Sequence, residues 1–68
     1  MAKKFYIKKV HGNSIEYKRY KCIDGWNRDK NCCWQFSEQG AEKIIERLIS
    51  GIHPSRRNEF VFSIEEVR

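Results

Sequence analysis

Long apolar runs are missing from this chain. No stretch approaches the ~20 apolar residues that a bilayer span requires. The basic start at Lys3 and Lys4 leads into an apolar run that stops at Lys8, too short for an export signal. A soluble, cytoplasmic protein with no membrane partner is the expectation. Chemistry-bearing motifs are missing too: there is no glycine-rich phosphate loop, no nucleophile elbow and no His-Glu-x-x-His pair. His11 falls among turn residues and His53 precedes Pro54, neither with an evident carboxylate partner. No enzymatic activity, cofactor or small-molecule substrate is expected.

Cysteine is scarce and odd in number. A secreted domain of this size usually pairs an even set, so Cys22, Cys32 and Cys33 read as thiols. Structural zinc takes thiolates separated by about two to four residues. Here nine residues separate Cys22 from Cys32, and Cys33 follows directly, so no metal site is expected. With one proline, 40% hydrophobic and 13% aromatic residues, the chain is too apolar and too patterned to be disordered. Its 68 residues make one small domain, 1–68, without room for a large cofactor beside a core.

What the chain does have is a charge division. Residues 1–30 carry nine Lys/Arg against three acids, and residues 31–68 carry five against six, so the net +5 sits almost wholly in one half. A basic surface interleaved with tyrosine points to a polyanionic partner.

The clearest local pattern predicts a helix over 38–50. Ala41, Ile44, Ile45, Leu48 and Ile49 make one apolar stripe at i, i+3, i+4, i+7 and i+8. Ser37 is a good N-cap, Glu38 and Glu42 favour the positive helix start, and Phe36 with Ala41 matches a hydrophobic staple. Gly51 supplies a residue tolerant of positive φ past the end, and Pro54 prevents continuation. Upstream, Phe5 and Ile7 alternate with Lys4, Tyr6 and Lys8 as in a half-buried strand. The turn residues 11–14 then lead to a second strand over about 15–23. Its phase slips, since Ile15 and Tyr17 inward would carry Arg19 and Lys21 inward as well. A bulge near Lys18-Arg19 would instead turn Tyr20 and Cys22 to the core. After a polar loop at 24–31, Cys32, Trp34 and Phe36 alternate as a short third strand, and Phe60, Phe62 and Ile64 mark a fourth.

The order β-β-β-α-β specifies an α+β fold. A meander followed by a right-handed crossover predicts a four-stranded mixed sheet, spatial order 4-1-2-3, with one helix on one face. The helix stripe should pack on Phe5, Ile7, Trp34, Phe60 and Phe62. The other face is then open, presenting Lys4, Tyr6, Lys8 and Val10, Lys18 or Arg19, Lys21 and Val61. Lysines meet phosphates as point charges and tyrosine rings stack on bases, which is how sheet surfaces hold single strands. Trp26, Arg28 and Lys30 in the 24–31 loop extend this candidate nucleic-acid surface, and Arg56 and Arg57 lie in the 53–58 loop. Glu38, Glu42 and Glu46 form an acidic stripe that makes the helix a poor groove reader.

Three strands followed by Phe36, Ala41, Ile44-Ile45 and Leu48 resemble, over about residues 5–49, the outline of the small arm-binding domains of tyrosine recombinases. The resemblance implies a three-stranded sheet that docks on DNA. The strand near 59–67 and the lack of a following domain depart from that outline, which also suits many short proteins of phages and mobile elements. Two readings stand: a nucleic-acid-binding accessory protein using the open sheet face, and a small inhibitor or adaptor docking on an acidic protein.

Overall fold

In the computed structural model, which describes residues 3–20 and 25–67, β1 (Phe5–His11) and β2 (Ser14–Lys18) form the expected hairpin. Their register runs from Lys8 opposite Tyr17 to His11 opposite Ser14. Gly12, at the first central position of this two-residue turn, has φ of 60°, which a side chain would disfavour there. The helix α1 (Glu38–Ser50) forms as the sequence predicts, with the Ser37 hydroxyl accepting from the Gly40 N–H at 3.2 Å. Gly51 departs from expectation. It ends the helix with φ of −79°, in the right-handed region, and donates its N–H to the Arg47 carbonyl.

The third strand is not the one predicted. β3 is the pair Trp26–Asn27, inside the segment read as a polar loop, and it returns antiparallel to the end of β2. The 32–36 segment instead begins in a 3-10 turn, Lys30–Cys32, which Asp29 caps by accepting from the Asn31 N–H. Only Phe36 keeps a sheet contact, exchanging two 2.7 Å backbone bonds with Phe5. A second 3-10 turn, Pro54–Glu59, leads into β4 (Phe60–Glu66).

The strand order β3-β2-β1-β4 is the predicted order read from the other side. The strand directions differ, because every pairing is antiparallel and the sheet is not mixed. The added reversal at Lys30–Cys32 explains this. Phe36 runs antiparallel to β1, and so does β4, so the helical crossover still joins two parallel segments, which now flank β1.

Directly opposed residues share a sheet face. The helix side therefore carries Phe5, Ile7, Lys9 and His11 from β1, Glu16 and Lys18 from β2, Trp26 from β3, and Phe60, Phe62 and Ile64 from β4. Ile7, fully buried, centres the core with Phe36 and Ala41, and Ile44, Ile45, Leu48, Ile64 and Trp26 pack around it. Ile49 and Trp34, expected inside, are exposed. Across the expected bulge site the β2–β3 pairing runs on in register, Tyr17 opposite Asn27 and Lys18 opposite Trp26, with the Arg19 N–H donating to the Gly25 carbonyl, so no bulge forms there and Ile15 and Tyr17 face away from the helix. Lys18 faces toward it.

Candidate binding surfaces

The face opposite the helix has three rows of different character. Farthest along, Ile15, Val10 and Val61 lie side by side across β2, β1 and β4, with Ile15 and Val61 well exposed. The next row is Tyr17, Lys8 and Ser63. In the third, Tyr6 lies opposite Glu65, and the Lys30–Asn31 turn closes over both. The Lys30 ammonium meets Glu65 at 2.7 Å, and the Tyr17 hydroxyl reaches the same carboxylate at 3.5 Å. Lys30 holds the Glu65 carboxyl below its ordinary range, and Glu65 in turn raises the lysine. Tyr6, its ring edge-on to Tyr17 at 6.0 Å, is left 6% exposed. It is a wall beneath a clasp and offers no open ring to a base.

The lysines expected on this face are divided. Lys4 is exposed just before β1, and Lys8 is half-buried in the middle row. Lys18 lies on the helix side, buried, with its ammonium 5.6 Å from the Trp26 ring centre. Lys9 sits closer to the same ring, at 4.4 Å, and also meets Glu16 at 3.6 Å. Trp26 is thus a half-buried platform under two ammonium groups, 6.2 Å from Phe62. Arg28 is exposed. Lys21 and Cys22 fall outside the described residues.

The sequence reading missed one exposed corner. Beyond β2, the Arg19 N–H donates to the Gly25 carbonyl, and the Arg19 carbonyl accepts from the Trp34 N–H at 3.1 Å. These bonds hold Trp34, 49% exposed, beside Arg19 and Tyr20, 39% exposed. The Arg19 guanidinium lies 5.2 Å from the Tyr20 ring centre. Gly25 leaves room for this ring: a Cβ here would come within 2.6 Å of it and force the ring to move. The Asp24-Gly25 signal is legible as a turn. The ring packed against the glycine is not, because a bulge at Lys18-Arg19 would turn Tyr20 inward.

Cys33 is packed under the turn, its thiol 3.4 Å from the Tyr17 carbonyl, and burial pushes it above the ordinary thiol range, with Cys32 and Asp29 acting in the same direction. Cys32 is exposed, and both are free thiols. Among the described residues no three His, Cys, Asp or Glu side chains converge as a metal site, and no helix is long and apolar enough to cross a membrane. No protein-family model, curated protein or solved structure matches this chain.

Proposed function

We propose that this chain is a small non-catalytic binding protein for single-stranded nucleic acid, and that the Arg19, Tyr20 and Trp34 corner is its principal contact. The observation that carries the reading is a pair of exposed rings, Tyr20 and Trp34, on adjoining backbone, with the Arg19 guanidinium 5.2 Å from the Tyr20 ring centre, on a chain of net charge +5. Exposed rings are available for stacking, and base stacking uses the whole π-face without demanding a sequence. Arg19 adds a charge for the phosphate and a planar group for stacking. Lys8 and the exposed Lys4 and Arg28 add to the positive charge of the chain.

The test is titration with short DNA and RNA oligonucleotides at several salt concentrations. Affinity should fall steeply as salt rises, because each phosphate contact releases a counterion. Trp34→Ala should weaken binding by ~1–3 kcal/mol without loss of folding. Changing Lys43 and Arg47 to Gln, beside the glutamate stripe, should do far less. Absence of binding at low salt defeats the proposal.

A second reading has its own support. The exposed row Ile15, Val10 and Val61 is an apolar strip with Lys8 behind it, which suits an acidic protein partner. Ile15→Ser would weaken such a complex and leave oligonucleotide binding unchanged.

A further inference from the structure

The two edges of the sheet are unequal. β3 is only two residues long, a short edge of the kind that resists pairing. β4 is a seven-residue edge with no proline, no lysine and no bulge along its pairing with β1. Val67 donates its N–H to the Lys4 carbonyl. Since residues on an antiparallel strand alternate in direction, Val61, Ser63 and Glu65 turn their backbone groups to β1, while Phe60, Phe62, Ile64 and Glu66 turn theirs outward. The Phe60 N–H is taken by the Arg57 carbonyl, which places the end of the Pro54–Glu59 turn at this outer edge. No described residue hydrogen-bonds the outward groups of Phe62, Ile64 and Glu66.

We propose that β4 pairs antiparallel with β4 of a second copy of this chain, about a two-fold axis through Ser63. Ser63 is the middle residue of Phe60–Glu66, so this register uses the full strand in both copies. Phe62 and Ile64 then exchange both ladder bonds with Ile64 and Phe62 of the second copy. Glu66 reaches the Phe60 carbonyl across the axis. The ends are complementary in charge. Glu65 and Glu66 of one copy come to the end where Arg56 and Arg57 of the other precede β4, and the acids of the two copies are kept at opposite ends. Val61, 59% exposed in the single chain, is covered by the stem of Glu65 from the second copy. An edge pairing of this length buries less than a standard interface, so the dimer is weak and concentration-dependent. The pair continues both sheets and leaves the Trp34 corner, beyond the opposite edge, unobstructed.

Sedimentation velocity without nucleic acid, over ~10 μM to ~1 mM, should show a reversible monomer–dimer equilibrium. Ser63→Glu decides the geometry. Within one chain the new carboxylate faces Lys8 and leaves the fold intact, but at the axis it faces its own copy in a close, non-hydrogen-bonded pair. Dimer affinity should fall at least tenfold with the melting temperature unchanged or raised. Ser63→Lys should also be monomeric, and mixing the two variants should restore association. A parent chain that stays monomeric throughout, or a Ser63→Glu variant that associates as the parent does, overturns the proposal.

Discussion

Ile7 and Lys9 are two residues apart on one strand and face the same side of the sheet, yet the structure around them differs in kind. Around Ile7 the covering layer is mostly aliphatic: Ala41, Ile44, Ile45 and Leu48 from α1, with Phe36, Ile64 and, at its margin, Trp26. Around Lys9 the cover is made by the sheet's own side chains. Trp26 lies across the strands, Lys9 and Lys18 hold their ammonium groups over it, and His11, Phe60 and Phe62 continue a ring stack toward the hairpin turn. A thirteen-residue helix is about 20 Å long and has only one apolar stripe to offer. The comparison teaches that where the helix runs out, a small domain can finish a face with amphipathic residues. Their stems act as hydrophobic cover and their charges stay near water or a π-face.

The sharpest way to break that distinction is at its two centres. Ile7→Ala removes a fully buried side chain from the helix-covered end and should cost ~2–5 kcal/mol by urea unfolding, enough to threaten folding in so small a domain. Trp26→Ala removes the platform under Lys9 and Lys18, which also borders the helix-covered core. Because the ring is half-buried, its loss should cost less, about 1.5–3 kcal/mol. If Trp26→Ala proved the more damaging of the two, the aromatic end would be the true core and the helix its accessory.

A finer comparison separates stem from charge. Lys9→Met keeps the hydrocarbon over Trp26 and removes both the cation–π contact and the ion pair with Glu16. It should cost only ~0.5–1 kcal/mol by the same unfolding measurement. A value near zero would mean that covering alone matters at this position. The smallest expected effect is on the opposite face, at the exposed clasp of Lys30 and Glu65. The folded Glu65 carboxyl titrates below its ordinary range, so its stabilisation is present above that range and disappears as pH falls through the folded value. Lys30 titrates above the ordinary lysine range, so its share is present below that range and is lost as pH rises through the folded value. Glu65→Gln should therefore be slightly less stable than the parent near neutrality, and the two thermal stability profiles should converge at both extremes of pH. A constant offset across the whole range would show that the glutamine disturbs packing around Tyr6 and that charge is not the cause.

Sequence reading found the helix, because its cap, its staple and its stripe all agree on Phe36 to Ser50. It also found β1, β4 and their adjacency, where Phe5 and Ile7 match the phase of Phe60, Phe62 and Ile64. It failed on β2, and for a physical reason. Alternation separates two faces but does not say which is inside when both carry long amphipathic residues. Ile15 and Tyr17 looked like the core face and Lys18 the outer one, yet Trp26 gives Lys18 an aromatic roof that no property of the β2 segment announces. The same tryptophan explains the misread third strand. Cys32, Trp34 and Phe36 alternate well, but Asp29 caps a tight turn before them, and the pairing edge of β2 is taken by Trp26 and Asn27. Of the candidate site, Arg19 was legible as a charge. Trp34 was not legible as a surface group, because its apolar neighbours fit a strand just as well.

Phe5 lies opposite Glu66, and His11 opposite Phe60, so β1, an inner strand of the sheet, is paired along its whole length with a strand far removed from it in sequence. The first hairpin closes locally, but β1 has no neighbour on its other side until β4 reaches it. Loops spanning most of the chain are slow to close, and an unpaired central strand is exposed to other chains while it waits. The domain should thus assemble in a single late step, when Phe60 to Glu66 close onto β1 and give it its second partner.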